Sequence, residues 1–380
     1  MNADSSVVFP ALADTTDPNN FIAYLQKIRP RVNDRIREIV EIEQFDDQLL
    51  PVLLRGKRLR AGVLLLIHEV LASEPERTGP QALELACALE LAHAASLIVD
   101  DIIDEDMERR GLETLHLAQG TKTALLESIG ILSLPYTVVA PLSGEYVRML
   151  AEVQRQMTFG ALQEMCTIRA LPAFDVYASI ITLKTGRLFG LASEWGFLAA
   201  DGGISGSKRP STEGIQQQSL RDTWRRYGTY LGRSMQMADD IVDLKSGMRG
   251  TYSGTPGSEL LLLNTMDVNP TIDECISDRR NCSAGRPKIQ SARNSEFILQ
   301  RAHQFLRTEQ ENARHALQNI EDLSGLPGYS TTPPSKKVAI LRVLGQSIAD
   351  IILEGTTVRE YPVFIDQASL KPGEIPVKND

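Results

Sequence analysis

The chain has 380 residues, 42% hydrophobic and 23% charged, with a formal net charge of −9. Such a chain can bury a sizeable core as one large domain or two smaller ones. The composition excludes a disordered polymer and gives no global basis for binding nucleic acid, although a local basic cluster can still meet a small charged substrate.

Residues 1–20 read as a flexible tail, polar and broken by proline, with no signal peptide pattern. From Phe21 the pattern turns helical. "FIAYLQKIRPRVNDRIREIVEI" spaces Ile22, Leu25, Ile28, Val32, Ile36, Ile39 and Val40 near the helical period, and Pro30 is expected to kink or break that helix. "LRAGVLLLIHEVL", "ALELACALELAHAASLIVDD", "VYASIITLKTGRLFGLASEWGFLAA" and "LRDTWRRYGTYLGRSMQMADDIVDLK" are apolar without alternation and predict buried helices. No hairpin signal and no Rossmann glycine pattern stands out. The expectation is an all-α fold, a single large helical bundle over 21–365 whose facing helices can build an interior site. Irregular segments are expected at 201–212, 246–294 and 323–337, and 366–380 as a frayed end.

Four cysteines do not make a disulfide framework in a chain of this length. Cys275 and Cys282 are expected as free thiols. No apolar run is read as reaching the roughly 18–20 residues of a membrane span. The expectation is a soluble cytoplasmic protein without membrane insertion.

The chemistry lies in two acidic boxes. "SLIVDDIIDEDMERRG" carries Asp100, Asp101 and Asp104, and "QMADDIVD" repeats the spacing with Asp239, Asp240 and Asp243. Helix positions i and i+4 share a face, so Asp100 and Asp104 pair up, as do Asp239 and Asp243. Like charges at that spacing repel, and a bound cation would compensate. One such box is commonly a solvated turn. Two, each embedded in an apolar helix, predict a cavity holding Mg2+, which prefers carboxylate oxygens and substrate phosphates. Asp106, outside the spacing, is expected as a solvated charge.

Basic residues supply the matching anion site. Lys57 and Arg60 lie in "LRGKRLRAG", Arg109 and Arg110 follow the first box, and Lys184 sits inside an apolar helix. Arginine forks suit phosphate oxygens. Arg58 and Arg187 are expected as surface charges on snorkelling stems.

Together these stretches resemble the trans-isoprenyl diphosphate synthases, the polyprenyl synthetase family. "GKRLR" (56–60), "ELAHAASLIVDDIIDEDMERRG" (90–111), "LKTGRLF" (183–189) and "YGTYLGRSMQMADDIVD" (227–243) occur in the family's order, and the likeness spans roughly residues 22–245. The resemblance implies the isoprenoid-synthase helical fold with a central cavity, Mg2+, prenyl diphosphate substrates and a homodimer. It places both aspartate boxes on magnesium and the allylic diphosphate. Lys57, Arg60 and His93, with Arg110, would hold isopentenyl diphosphate. Arg109 and Lys184 would contact the allylic diphosphate, and Thr185 and Gln236 would line the region where the cation forms. Ala95 and Ser96 would set the floor of the chain-elongation tube, and their small size implies a product longer than fifteen carbons. Leu126, Ile129 or Tyr136 would make a second floor.

The pattern departs from the family at Ala61, where proline is common, at Val99, where histidine is common, and at Ser128-Ile129, where Gly-Asp is usual. A lysine expected after the second box is replaced by a stretch offering only Lys245 or Arg249. A cyclase, an unusual prenyl-coupling enzyme or a non-catalytic binding subunit remain the alternatives on the same pattern.

Overall fold

A computed structural model describes residues 19–167, 174–202, 211–249, 292–324 and 336–355. Cys275, Cys282 and most of the irregular stretch before 292 lie outside these residues. The order is α1 (Asn19–Ile42), a 3-10 turn (Asp47–Leu49), α2 (Leu50–Leu54), α3 (Leu59–Leu71), α4 (Pro75–Ile103), β1 (Glu108–Arg109) and β2 (Leu112–Glu113). Then come α5 (Leu115–Ala118), α6 (Thr121–Val139), α7 (Gly144–Thr167), α8 (Phe174–Ile181), a π-helical turn (Thr182–Gly186) and α9 (Arg187–Ala200). The chain continues with α10 (Ser211–Arg249), α11 (Ala292–Ser324) and α12 (Lys336–Leu353).

Among the described residues the fold is all-α apart from the small β1–β2 hairpin. Alanines explain how α4 passes through the middle: Ala82, Ala86, Ala88, Ala92 and Ala95 are buried and let α3, α6 and α9 close on it. By length and composition α4 could cross a membrane, contrary to the reading of the sequence, but 67% of its apolar window is buried inside the bundle. α9 and α10 meet at backbone distance. A Cβ on Gly232 would come within 2.8 Å of Gly186 Cα, and one on Gly228 within 2.3 Å of the Phe189 carbonyl oxygen. This approach sets the π turn beside the second aspartate box. A second apolar cluster joins Tyr177 and Ile181 of α8 to Met237 and Ile241 of α10, Leu306 of α11 and Ala349 of α12. Each such aliphatic burial contributes about 1.5–3 kcal/mol.

Three expectations are corrected. Pro30 does not break α1, which runs unbroken through it; the buried row Leu25, Ile28, Val32 and Ile36 packs on both sides of the proline, offsetting the lost hydrogen bond. Helix reaches into the ends of the segments expected as irregular, because α10 spans Ser211–Arg249, α11 spans Ala292–Ser324 and α12 begins at Lys336. The hairpin, for which the sequence carries no signal, turns at Arg110-Gly111, not a usual turn pair. Both residues have positive φ, +55° and +75°, as a tight hairpin turn of this hand requires.

Candidate active site

A cavity of about 600 Å³ opens between the start of α3, the C-terminal half of α4, the β1–β2 turn, the π turn, α10 and the end of α12. Its wall brings together most of the residues predicted from sequence. Lys57 and Arg60 come from the α3 entrance, and His93, Ser96 and Asp100 from α4. Arg109 and Arg110 come from the hairpin, Lys184 and Thr185 from the π turn, and Gln236 and Asp239 from α10. Asp101, Asp104, Asp240, Asp243 and Ala95 are not on the wall.

The cationic side is built from below by a residue expected at the surface. Arg58 is buried, not snorkelling. Its guanidinium donates to Asn33 Oδ1 at 2.9 Å, to Glu90 Oε2 at 3.3 Å and to the Leu53 carbonyl at 2.7 Å. Glu90 Oε1 in turn accepts the Ala61 backbone N–H at 3.0 Å. That N–H is one of the donors left open at a helix start, and a proline at 61 could not supply it. Arg58 and Glu90 thus fix the turn that presents Lys57 and Arg60.

Arg60 is buried with its guanidinium 4.7 Å from the Phe189 ring centre. Burial pushes its pKa down to about 10, with Glu90 opposing. Lys57 is also lowered by burial, with Asp239 opposing, and its Nζ donates to the Ile351 carbonyl at 3.5 Å. Arg110 is held by an exchange with Arg55: each guanidinium donates to the other's backbone carbonyl. Gly56 makes room for it, at φ +142° and with Arg110 Nη1 only 2.8 Å from where a Cβ would stand. Burial, then Arg60, Arg110 and Arg109, hold the His93 imidazole well below its usual range. His93 therefore meets an anion as a neutral donor.

On the acidic side, Asp100 faces the cavity while Asp101 is buried beneath Arg109, which clasps it and also bonds Asp106 at 3.0 Å. Asp106 is thus an ion-pair partner and not a solvated charge. Asp104 ends α4. Burial raises its carboxyl to about 6, with Lys184 opposing and Asp100, Glu164 and Asp106 adding to the rise. Lys184 bonds Glu164 of α7 at 2.6 Å; burial works against its charge, but Asp100 and Glu164 outweigh burial and raise it. No sequence motif pointed to Glu164, which lies 20 residues away on another helix.

In the second box, Asp239 is open to the cavity. The surrounding protein still raises its carboxyl, while Lys57 and Arg109 lower it. Asp240 is 1% exposed and faces inward, accepting from the Tyr177 hydroxyl at 2.6 Å and from Gln236 Nε2 at 3.0 Å. Gln236 Oε1 accepts from Thr185 at 2.8 Å. Lys245 lies beside His303 of α11, away from the cavity wall, and the Arg249 side chain lies outside the described residues.

The expected floors also shift. Ser96 reaches the wall, whereas Ala95 is buried in the core, with Ala94 and Leu97 lining the cavity instead. Leu126 and Ile129 are 70% and 58% exposed and close nothing within this chain. Tyr136 bonds Gln154 Oε1 of α7.

Among the described residues, no three acidic, histidine or cysteine side chains form a ready-made metal cage. The donors still suit a divalent cation of the magnesium type, which takes one or two carboxylates and completes its shell with water and phosphate. Asp100 and Asp239 are two single carboxylates opening into one cavity whose other wall is cationic.

The polyprenyl synthetase family model matches residues 44–251, more than half of the chain. The chain belongs to the polyprenyl synthetase family. It is 28% identical over 310 residues to a nonaprenyl diphosphate synthase of Mycobacterium tuberculosis (strain ATCC 25618 / H37Rv), covering 75% of this chain and 85% of that one. A decaprenyl diphosphate synthase from Rhodobacter capsulatus shares the fold at TM-score 0.63 and 18% identity, covering 88% of this chain and 99% of that chain. A polyprenyl synthase from Caulobacter crescentus CB15, complexed with calcium and isoprenyl diphosphate, shares it at TM-score 0.61 and 20% identity, covering 90% and 99%. Residues from each of the four matching stretches line this one cavity.

Proposed function

We propose that this protein condenses isopentenyl diphosphate with an allylic prenyl diphosphate to give a longer trans-prenyl diphosphate, twenty carbons or more, with Mg2+ as cofactor. The observation that carries the reading is one cavity with two single carboxylates, Asp100 and Asp239, and a separate cationic group, Lys57, Arg60 and Arg110, beside neutral His93. Two charged groups of opposite sign suit two diphosphates, one carried on metal and one held directly. A cyclase has no use for the second.

Asp100 and Asp239 would hold the cation, which when bound neutralises charge developing on the departing diphosphate. Arg109 and Lys184 would stabilise the same oxygens directly. Arg109 must then release Asp101, and Lys184 must share its proton donors between Glu164 and the diphosphate. Lys57, Arg60, Arg110 and His93 would orient isopentenyl diphosphate so that its double bond meets the allylic carbon. Thr185 and Gln236 would face that carbon, and the surrounding apolar helices would keep water from it. Ser96, with Ala94 and Leu97, would border the growing chain. The test is incubation of the purified protein with Mg2+, isopentenyl diphosphate and allylic primers of different length, with products read by mass. A linear, longer diphosphate supports the reading; a hydrocarbon formed without isopentenyl diphosphate, or binding without turnover, overturns it.

We further propose a homodimer joined through the apolar face of α6 and α7. Leu125, Leu126 and Ile129 of α6 and Phe159, Leu162 and Met165 of α7 are exposed there, an apolar grouping that marks interaction sites on soluble proteins. Leu126→Asp with Ile129→Asp is expected to halve the mass measured by light scattering; an unchanged mass contradicts this face.

A further inference from the structure

Thr185 departs from the habit of its kind. Thr158, Thr182, Thr223, Thr229 and Thr308 each donate their hydroxyl to the backbone carbonyl four residues earlier, the common arrangement for a threonine inside a helix. Thr185, in the π turn, donates instead to Gln236 Oε1 across to α10. π turns in helices are frequent at functional sites.

The direction of that bond is fixed from behind the cavity. The Gln236 amide presents its NH2 group to Asp240 Oδ1 at 3.0 Å, the side of an amide that a carboxylate oxygen favours. The amide oxygen then faces Thr185, and the threonine hydroxyl must donate. The other carboxylate oxygen of Asp240 accepts from Tyr177 at 2.6 Å. Burial, then Asp240, raise the Tyr177 hydroxyl well above its usual range, so it stays a donor. The Tyr177 ring is locked among Ile180, Met237 and Leu306.

We propose that Tyr177 and Asp240 are positioning residues: acting through Gln236, they point the Thr185 hydroxyl proton away from the reacting carbon and leave the oxygen lone pairs toward it. The proposal rests on the prenyl-transfer reading and deepens it. A developing allylic cation is stabilised by an oxygen lone pair and opposed by a hydroxyl proton, and a fixed orientation needs no reorganisation during the reaction. The same geometry takes Asp240 out of the metal-binding set, since the chain Tyr177–Asp240–Gln236–Thr185 engages its carboxylate inside the protein.

The test is a kinetic cycle with Tyr177→Phe, which deletes one oxygen and keeps the packed ring. In the otherwise unaltered protein kcat falls about 10-fold, an effect of the size seen for partners that orient metal ligands, with KM for both diphosphates unchanged. In a Thr185→Ser background, where the hydroxyl survives, Tyr177→Phe causes the same fall. In a Thr185→Val background it causes none. An unchanged kcat, a rise in KM in place of the fall in kcat, or an equal fall in the valine background overturns the proposal. Asp240→Asn, which replaces one accepting oxygen by a donor, is put through the same cycle and judged by the same outcomes if Tyr177→Phe does not fold. Turnover by the unaltered protein in the same assay tests prenyl transfer separately.

Discussion

The two aspartate boxes have the same spacing and opposite surroundings. The first stands where α4 ends, so Asp100 still projects from the helix while Asp104 already caps it and the chain turns into the β1–β2 hairpin. Its second carboxylate, Asp101, is held by an arginine that is itself partly open to solvent. The second box lies inside α10, and its second carboxylate, Asp240, is held by a buried tyrosine and a glutamine. In both, the leading aspartate reaches the cavity and the next one turns into the protein. The difference is in the holder: a partly exposed, charged clasp in one box and a neutral, packed one in the other. A clasp such as Arg109 can move to an incoming diphosphate, whereas Tyr177 cannot.

Replacing the second carboxylate of each box should expose that difference. Asp240→Ala leaves the Tyr177 hydroxyl and the Gln236 amide without their acceptor, and should lower unfolding free energy by about 3 kcal/mol in urea titration. Asp101→Ala leaves Arg109 partly solvated and still paired with Asp106, and should cost less than about 1 kcal/mol. Equal losses would mean that the two holders do the same work.

A second contrast concerns acid, because only the helix of the first box carries a histidine on the cavity wall, His93. Its folded-state pKa is depressed. Above the unfolded value of about 6.5 both states are neutral at this residue; below it the unfolded chain takes up a proton first. His93 therefore lowers stability as pH falls through that window. Between about pH 7.5 and about pH 5.5 the wild type should lose roughly 1 kcal/mol more than His93→Gln. Identical pH profiles for the ligand-free proteins would show that His93 titrates normally.

Asp106 tests the clasp itself with the smallest expected effect. Asp106→Asn removes one partly exposed partner of Arg109 and should change stability by well under about 1 kcal/mol, while lowering KM for the allylic substrate as Arg109 is released more easily. A higher KM would mean that Asp106 orients Arg109 for its substrate.

These contrasts mark what was legible in the sequence. The helical class, the two boxes and the basic stretches follow from periodicity and spacing, which report which residues share a face of one helix. They do not report what another helix brings to that face. Arg58 was read as a surface charge because its partners, Asn33 and Glu90, lie on α1 and α4. Lys184 stands out inside an apolar helix, but no motif announces its partner Glu164. Asp240 was placed on metal by analogy with its neighbour, and only the packing of α8 against α10 turns it inward. A cavity floor at Leu126 and Ile129 does not hold because a lone sequence does not distinguish an interior apolar face from an exposed one.

The central claim is that Asp100 and Asp239 together clamp a metal-bound diphosphate. Calorimetric titration with inorganic diphosphate, with and without Mg2+, measures this directly in the wild type, in Asp100→Asn and in Asp239→Asn. The account predicts binding that depends on Mg2+ and weakens at least about 10-fold in either variant. Equal affinity without Mg2+, or in either variant with it, would contradict the account.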